Sequence, residues 1–121
     1  MTLLWLNLVK ENASAFSTKV LSIAQNLGID PNWLMHVMYS ESGLNHRIVN
    51  PMGGATGLIQ FMPSTAKGLG TTTSALSNMS NVEQLDWVYK YFKPYTGKIK
   101  SFVDLYMITF MPVFLESLKI Q

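Results

Sequence analysis

The chain has 121 residues and 13.6 kDa, is 48% hydrophobic and only 13% charged, and carries a net charge of +2. This composition excludes a disordered chain, and the small charge gives no ground for a nucleic-acid partner. Without cysteine there is no disulfide framework and no thiolate zinc site, and the length fits one domain over residues 1–121 with its core at 14–112.

The run Met1 to Lys10 is apolar but lacks a basic leader and a small-residue cleavage site, so it makes a poor signal peptide. No run reaches the ~18 apolar residues of a membrane span, so stable membrane insertion is not expected. The first clear helix is expected over Ser14 to Leu27, where Phe16, Val20, Ile23 and Leu27 recur at helical spacing and Gly28 is a natural C-cap. Asp30 as N-cap and Pro31 at the first position open a second helix, which Gly43 stops. Loop signals dominate from Asn45 to Gly57. A short helix follows Ser64 and closes near Gly68 or Gly70. Ser80-x-x-Glu83 is a capping box for a helix reaching about Phe92, which Pro94 and Gly97 terminate. A last helix covers about Ile99 to Phe110 and stops before Pro112, and the tail from Val113 to Gln121 reads either way. Period-two alternation is never sustained, so the fold class is mainly α with little or no sheet.

On the second helix Leu34, Val37, Met38 and Glu41 sit at i, i+3, i+4 and i+7, which puts Glu41 on the apolar stripe. Burial disfavours its charged form, and the negative end of the helix dipole adds to this. Both raise the pKa, as a general acid needs. A carboxylate at a frayed helix end that simply reaches solvent fits the position as well. His36 and His46 flank Glu41 at five residues each way, do not share its face, and make no metal site; no cofactor is called for. Trp87, Tyr91 and Phe92 at helical spacing read as core, and Lys90, Lys93, Lys98 and Lys100 as a solvated face, helpful near an anionic polymer.

The segments Glu41-Ser42-Gly43-Leu44-Asn45, Asn50-Pro51 and Gly54-Ala55-Thr56-Gly57-Leu58-Ile59-Gln60-Phe61-Met62-Pro63-Ser64-Thr65-Ala66 together resemble the core signature of soluble-type lytic transglycosylases, the SLT domain. That pattern runs Glu-Ser, a short loop, Gly-Leu-Met-Gln, then Met-Pro-x-Thr-Ala. The similarity covers about residues 16–70, with a weaker extension to Pro112. It implies a lysozyme-like helical domain, shared with goose-type lysozyme, with a Gly-rich active-site loop. It also implies cleavage of the β-1,4 bond between N-acetylmuramic acid and N-acetylglucosamine in peptidoglycan glycan strands. Glu41 matches the single catalytic Glu, acting first as acid and then as base while a 1,6-anhydro ring closes.

Gln60 matches a glutamine that lines the cleft and can hydrogen-bond an acetamido sugar; the alternative is a Gln capping the loop backbone. Asn50 falls where many members carry Ser before Pro, and would bind substrate or orient Glu41. Gly57 and Gly54 would permit close approach or positive φ, and Ser42 would hold the helix end. The third motif, Ala-Tyr-Asn, is only partly present: Asp104-Leu105-Tyr106-Met107 keeps the Tyr, in a form resembling phage-type members. Tyr106 would contact Glu41 or sugar, or serve as a core Tyr; both readings stay open. A muramidase using Asp86 or Asp104 as second carboxylate, and a non-catalytic wall-binding or tail module, are the rival functions. The expected place of action is the cell wall, in the periplasm or outside the cell, with delivery by phage or within a larger protein.

Overall fold

The computed structural model describes residues 2–110, so the tail beyond Phe110, including Pro112, lies outside the described residues. Among these residues the fold is mainly helical: six α-helices, short 3-10 turns at Leu6–Leu8 and Lys93–Tyr95, and isolated bridges in place of a sheet. The helices are α1 (Ala13–Leu27), α2 (Pro31–Ser42), α3 (Pro63–Leu69), α4 (Thr73–Ser77), α5 (Asn81–Phe92) and α6 (Phe102–Phe110).

The apolar face of α1 is Phe16, Val20, Ile23, Ala24 and Leu27, all buried. Gly28 ends it in the left-handed region (φ 71°), while Ile29 N–H bonds back to Ala24 O at 3.0 Å and Gly28 N–H to Gln25 O at 3.2 Å, the two bonds of a Schellman ending. Asp30 caps α2 by accepting from Asn32 N–H at 2.8 Å, with Pro31 at the first helical position. Its inner face, Leu34, Met35, Val37 and Met38, is fully buried. Helix α1 packs against α2 and α5, α3 leans on α5, and α6 crosses α2. One hydrophobic cluster from Leu3 to Ile108 fills the space between them.

Two boundaries and one additional helix depart from expectation. Helix α3 starts at Pro63 rather than after Ser64, because proline's fixed φ suits the first helical position. Helix α6 starts at Phe102 rather than Ile99: Asp104 N–H donates to Ser101 Oγ at 3.1 Å and Asp104 Oδ2 accepts from Lys100 N–H at 2.8 Å, which sets the first turn after Ser101. Helix α4 was not anticipated; it is a single five-residue turn capped by Thr72, too short to show a period.

The capping box of α5 is complete: Ser80 Oγ accepts from Glu83 N–H, and Glu83 Oε1 accepts from Ser80 N–H. Ser80→Ala is expected to cost about 1 kcal/mol. Urea unfolding checks this as a lower midpoint at unchanged m-value, with Glu83→Gln close to the parent because its amide can still accept.

Candidate active site

Glu41 sits in the last turn of α2, below the buried Leu34, Val37 and Met38 on the same stripe, and is itself half-buried. Desolvation raises its pKa above the ordinary 4.5. Its position near the carbonyl end of α2 pushes the same way, since that end disfavours negative charge.

The other carboxylates of the described residues all have partners. Glu11 pairs with Arg47 at 2.7 Å, Asp30 and Glu83 cap helices, Asp86 pairs with Lys19 at 2.6 Å, and Asp104 caps α6. Glu41 alone among them makes no hydrogen bond or ion pair. A half-buried carboxyl without a compensating donor stays protonated to higher pH.

Immediately after Glu41 the backbone turns sharply. Gly43 and Leu44 both have positive φ, at 64°. Ser42 Oγ lies 2.8 Å from Leu58 O and 3.0 Å from Met38 O, so its one proton ties the end of α2 to the glycine loop. The loop is held from the other side by Gln84 of α5, which is fully buried. Gln84 Oε1 accepts from Leu58 N–H at 2.9 Å, and Nε2 donates to His46 O at 2.8 Å and Leu76 O at 2.9 Å. Gly57 presses on this amide: a Cβ there would stand 2.5 Å from Gln84 Oε1, and its φ is +84°. Thr56 bridges antiparallel to both Val49 and Phe61, which folds residues 49–61 back on themselves.

The sequence-predicted residues divide in this frame. Gln60 lies at the loop's end with φ 55°, and its Nε2 donates to Gly57 O at 3.2 Å and Ile48 O at 3.3 Å. Its amide nitrogen therefore serves the loop backbone, while the side chain also lines a small cleft of about 40 Å³ with Phe61, Thr65 and Tyr91. Asn50 is exposed and makes a turn of its own, Oδ1 accepting from Met52 N–H at 2.9 Å. Ser42 holds the helix end as expected. Tyr106 stands in a row of rings, 5.9 Å from Phe102 and 5.5 Å from Phe110.

The tyrosine whose ionisation Glu41 opposes is Tyr91 on α5. Its pKa is pushed up to about 12, chiefly by burial and then by Tyr95 and the charge of Glu41. Its hydroxyl donates to Ile108 O at 2.7 Å, which pins α5 to α6. Tyr91, Thr65, Met62 and Thr109 line both the small cleft and a groove of about 610 Å³ that continues past Lys90, Tyr95 and Phe110. Reading Tyr91 as simple core from its spacing missed this. The sequence carried no signal for it, because the neighbours that matter lie 17 and 50 positions away, at Ile108 and Glu41. Gln84 was missed for the same reason.

A family profile described as the Transglycosylase SLT domain matches residues 19–97, about two thirds of the chain. The chain belongs to this family, whose activity is directed at peptidoglycan. The matched span contains Glu41, Asn50, Gly57, Gln60, Gln84 and Tyr91, and ends before Tyr106. No solved structure matches the chain significantly.

Two outcomes are expected. Gln84→Leu fills similar space but strands Leu58 N–H and the carbonyl of His46, while Leu76 O keeps its bond from Met79 N–H at 3.2 Å; it should cost roughly 2–4 kcal/mol by urea unfolding. Glu41→Gln should stabilise the fold at neutral pH. With its pKa raised in the folded state, Glu41 costs nothing where it is neutral in both states. The penalty grows as pH rises from the ordinary 4.5 and is complete once the folded carboxyl has ionised. Thermal melts should show the Gln variant ahead at pH 7 and level with the parent near about pH 3.

Proposed function

We propose that the protein is a lytic transglycosylase that uses Glu41 alone, cleaving the bond between N-acetylmuramic acid and N-acetylglucosamine. Protonated Glu41 gives its proton to the glycosidic oxygen as the bond to the muramic C1 breaks, with charge developing as an oxocarbenium-like centre. The carboxylate left behind takes the proton of the muramic C6 hydroxyl, whose oxygen closes on C1. The product carries a 1,6-anhydro ring, Glu41 ends protonated as it began, and no water is consumed.

The observation that carries this reading is the absence of a partner on Glu41, set beside the engagement of Asp86 with Lys19 and of Asp104 with the start of α6. Most glycosidases need two carboxylates flanking the bond. A single acid–base residue suits chemistry in which the substrate supplies its own nucleophile. Burial helps the first step, since it raises the pKa and so favours the protonated acid. The groove running past Tyr91 supplies the concave, partly apolar bed that a glycan strand requires. In this reading Tyr91 bounds the acid's pocket, and Gln60 presents its remaining amide oxygen to an acetamido N–H. Gly57 serves by letting the loop approach Gln84, and Tyr106 and Asn50 support the cleft from its margins. We take residues 1–121 to act as a single catalytic domain, at the cell wall and therefore in the periplasm or outside the cell.

Glu41→Gln should fold and lose turnover by at least about a hundredfold, and the parent's muropeptides should be lighter by one water than reducing-end products in mass spectrometry. Reducing-end muropeptides would instead establish a muramidase. Undiminished turnover by the Gln variant would remove Glu41 from the reaction, and binding without turnover by the parent would mark a wall-binding module.

A further inference from the structure

Four polar side chains line the small cleft of about 40 Å³: Gln60, Thr65, Tyr91 and Thr109. They come from the glycine loop, α3, α5 and α6. Three of the four have spent their protons on the fold. Both amide protons of Gln60 go to backbone, at Gly57 O and Ile48 O. The Tyr91 hydroxyl donates to Ile108 O at 2.7 Å, and the Thr109 hydroxyl donates to Leu105 O at 2.9 Å. What these three still offer is lone pairs.

Thr65 is the exception. Its hydroxyl makes no hydrogen bond among the described residues, so its proton is free for a ligand. It stands in the first turn of α3, on helical backbone, and its β-branched side chain is stiff. The cleft thus presents three acceptors and one donor, and none of its lining residues is charged. Ile59 and Phe61, both buried, add apolar wall.

We infer that Thr65 is the residue that selects N-acetylated sugars, its hydroxyl donating to the acetyl carbonyl while Gln60 Oε1 accepts from the acetamido N–H. This rests on the reading of the cleft as part of the glycan bed, and gives that bed its specificity. An acetamido group carries one donor, one acceptor and one methyl. The N–H meets a ready acceptor, the carbonyl meets the one free donor, and the methyl lies against Ile59 and Phe61. Thr109 Oγ1 and Tyr91 Oη remain for sugar hydroxyls, since both residues line the groove as well as the cleft. A lone hydroxyl in place of the acetamido group leaves the apolar wall uncovered and offers one polar atom instead of two. An ammonium finds acceptors, but no carboxylate lines the cleft to offset its charge, and Thr65 is left without an acceptor. A site whose polar groups are matched to one substituent rejects analogues that lack it.

The test is NMR titration of the full chain carrying Glu41→Gln, which keeps the ligand intact, with chitotetraose, its N-deacetylated form and cellotetraose. The readout is binding and does not depend on turnover. Saturable shifts at the amides of Gln60, Thr65 and Thr109 are expected with chitotetraose, at an affinity at least about tenfold above that for the other two. Thr65→Val should remove most of that preference and leave the urea midpoint close to the parent's, since the hydroxyl holds nothing in the fold. Thr65→Ser should keep the preference. The inference fails if chitotetraose gives no saturable shift by about 10 mM, if the three ligands bind alike, if Thr65→Val keeps the preference, or if Thr65→Ser loses it as fully as Thr65→Val. Any of these outcomes beside anhydro products from the parent would leave the catalytic reading standing without Thr65. Selective binding by a parent without turnover would do the reverse.

Discussion

The buried amide of Gln84 is the constraint on which the site depends. Its three hydrogen bonds reach Leu58 in the glycine loop, His46 in the turn after α2, and Leu76 in α4. The glycine loop and the turn after α2 carry little secondary structure of their own, so Leu58 N–H and His46 O have no other partner among the described residues, while Leu76 O also accepts from Met79 N–H at 3.2 Å. Burying them unpaired would be expensive, and one side chain on a rigid helix satisfies all three. The cost is paid in side-chain freedom at position 57, where anything larger than hydrogen meets the amide oxygen. Gly57 and Gln84 therefore act as one device: the glycine lets the loop approach, and the amide holds it there.

Glu41 acquires its character from what this device leaves out. Ser42, its neighbour, is bound into the loop through Leu58 O, and Leu44 is buried beyond the sharp turn. The side chain of Glu41 is left half-buried at the end of a packed helix face, without a hydrogen-bond donor among the described residues. The other described carboxylates sit at helix starts or face cations. Glu41 sits half-buried at a helix end, and burial opposes its ionisation, as does the carbonyl end of the helix. The same packing that holds the loop leaves Glu41 half-buried, which raises its pKa.

Most of the scaffold was legible because its signals are local. Gly28, the Asp30-Pro31 pair and the Ser80–Glu83 box each act within four residues, and the structure uses all of them. The stripe through Leu34, Val37 and Met38 placed Glu41 on the inner side of α2 from spacing alone. The surroundings of the acid were not legible in that way. Gln84 reaches its partners across 26, 38 and 8 residues, and Tyr91 meets Ile108 across 17. Nothing in the period of α5 separates a tyrosine that packs from one that also closes a cleft. Tyr106 attracted attention through a motif fragment, yet it falls in the row of rings with Phe102 and Phe110. Gln60 matched its motif, while its positive φ and its bonds to Gly57 O and Ile48 O emerge only once the loop is folded.

Helix α5 has consequences at both ends. Near its start, Asn81 and Gln84 fix the N-terminal segment and the loop; near its end, Tyr91 lines the small cleft and ties to α6. The distance between these contacts is set by helical rise, which side-chain packing cannot stretch. Two non-glycine residues with positive φ, Leu44 and Gln60, bracket the segment that Gln84 holds. Such conformations persist where surrounding contacts over-determine them. Here the contacts are identifiable: Leu44 is buried in the core, and Gln60 bonds back to the loop through its own amide. Gln84 fixes the backbone that lies between them, so the turn that follows Glu41 depends on a residue that does not touch it.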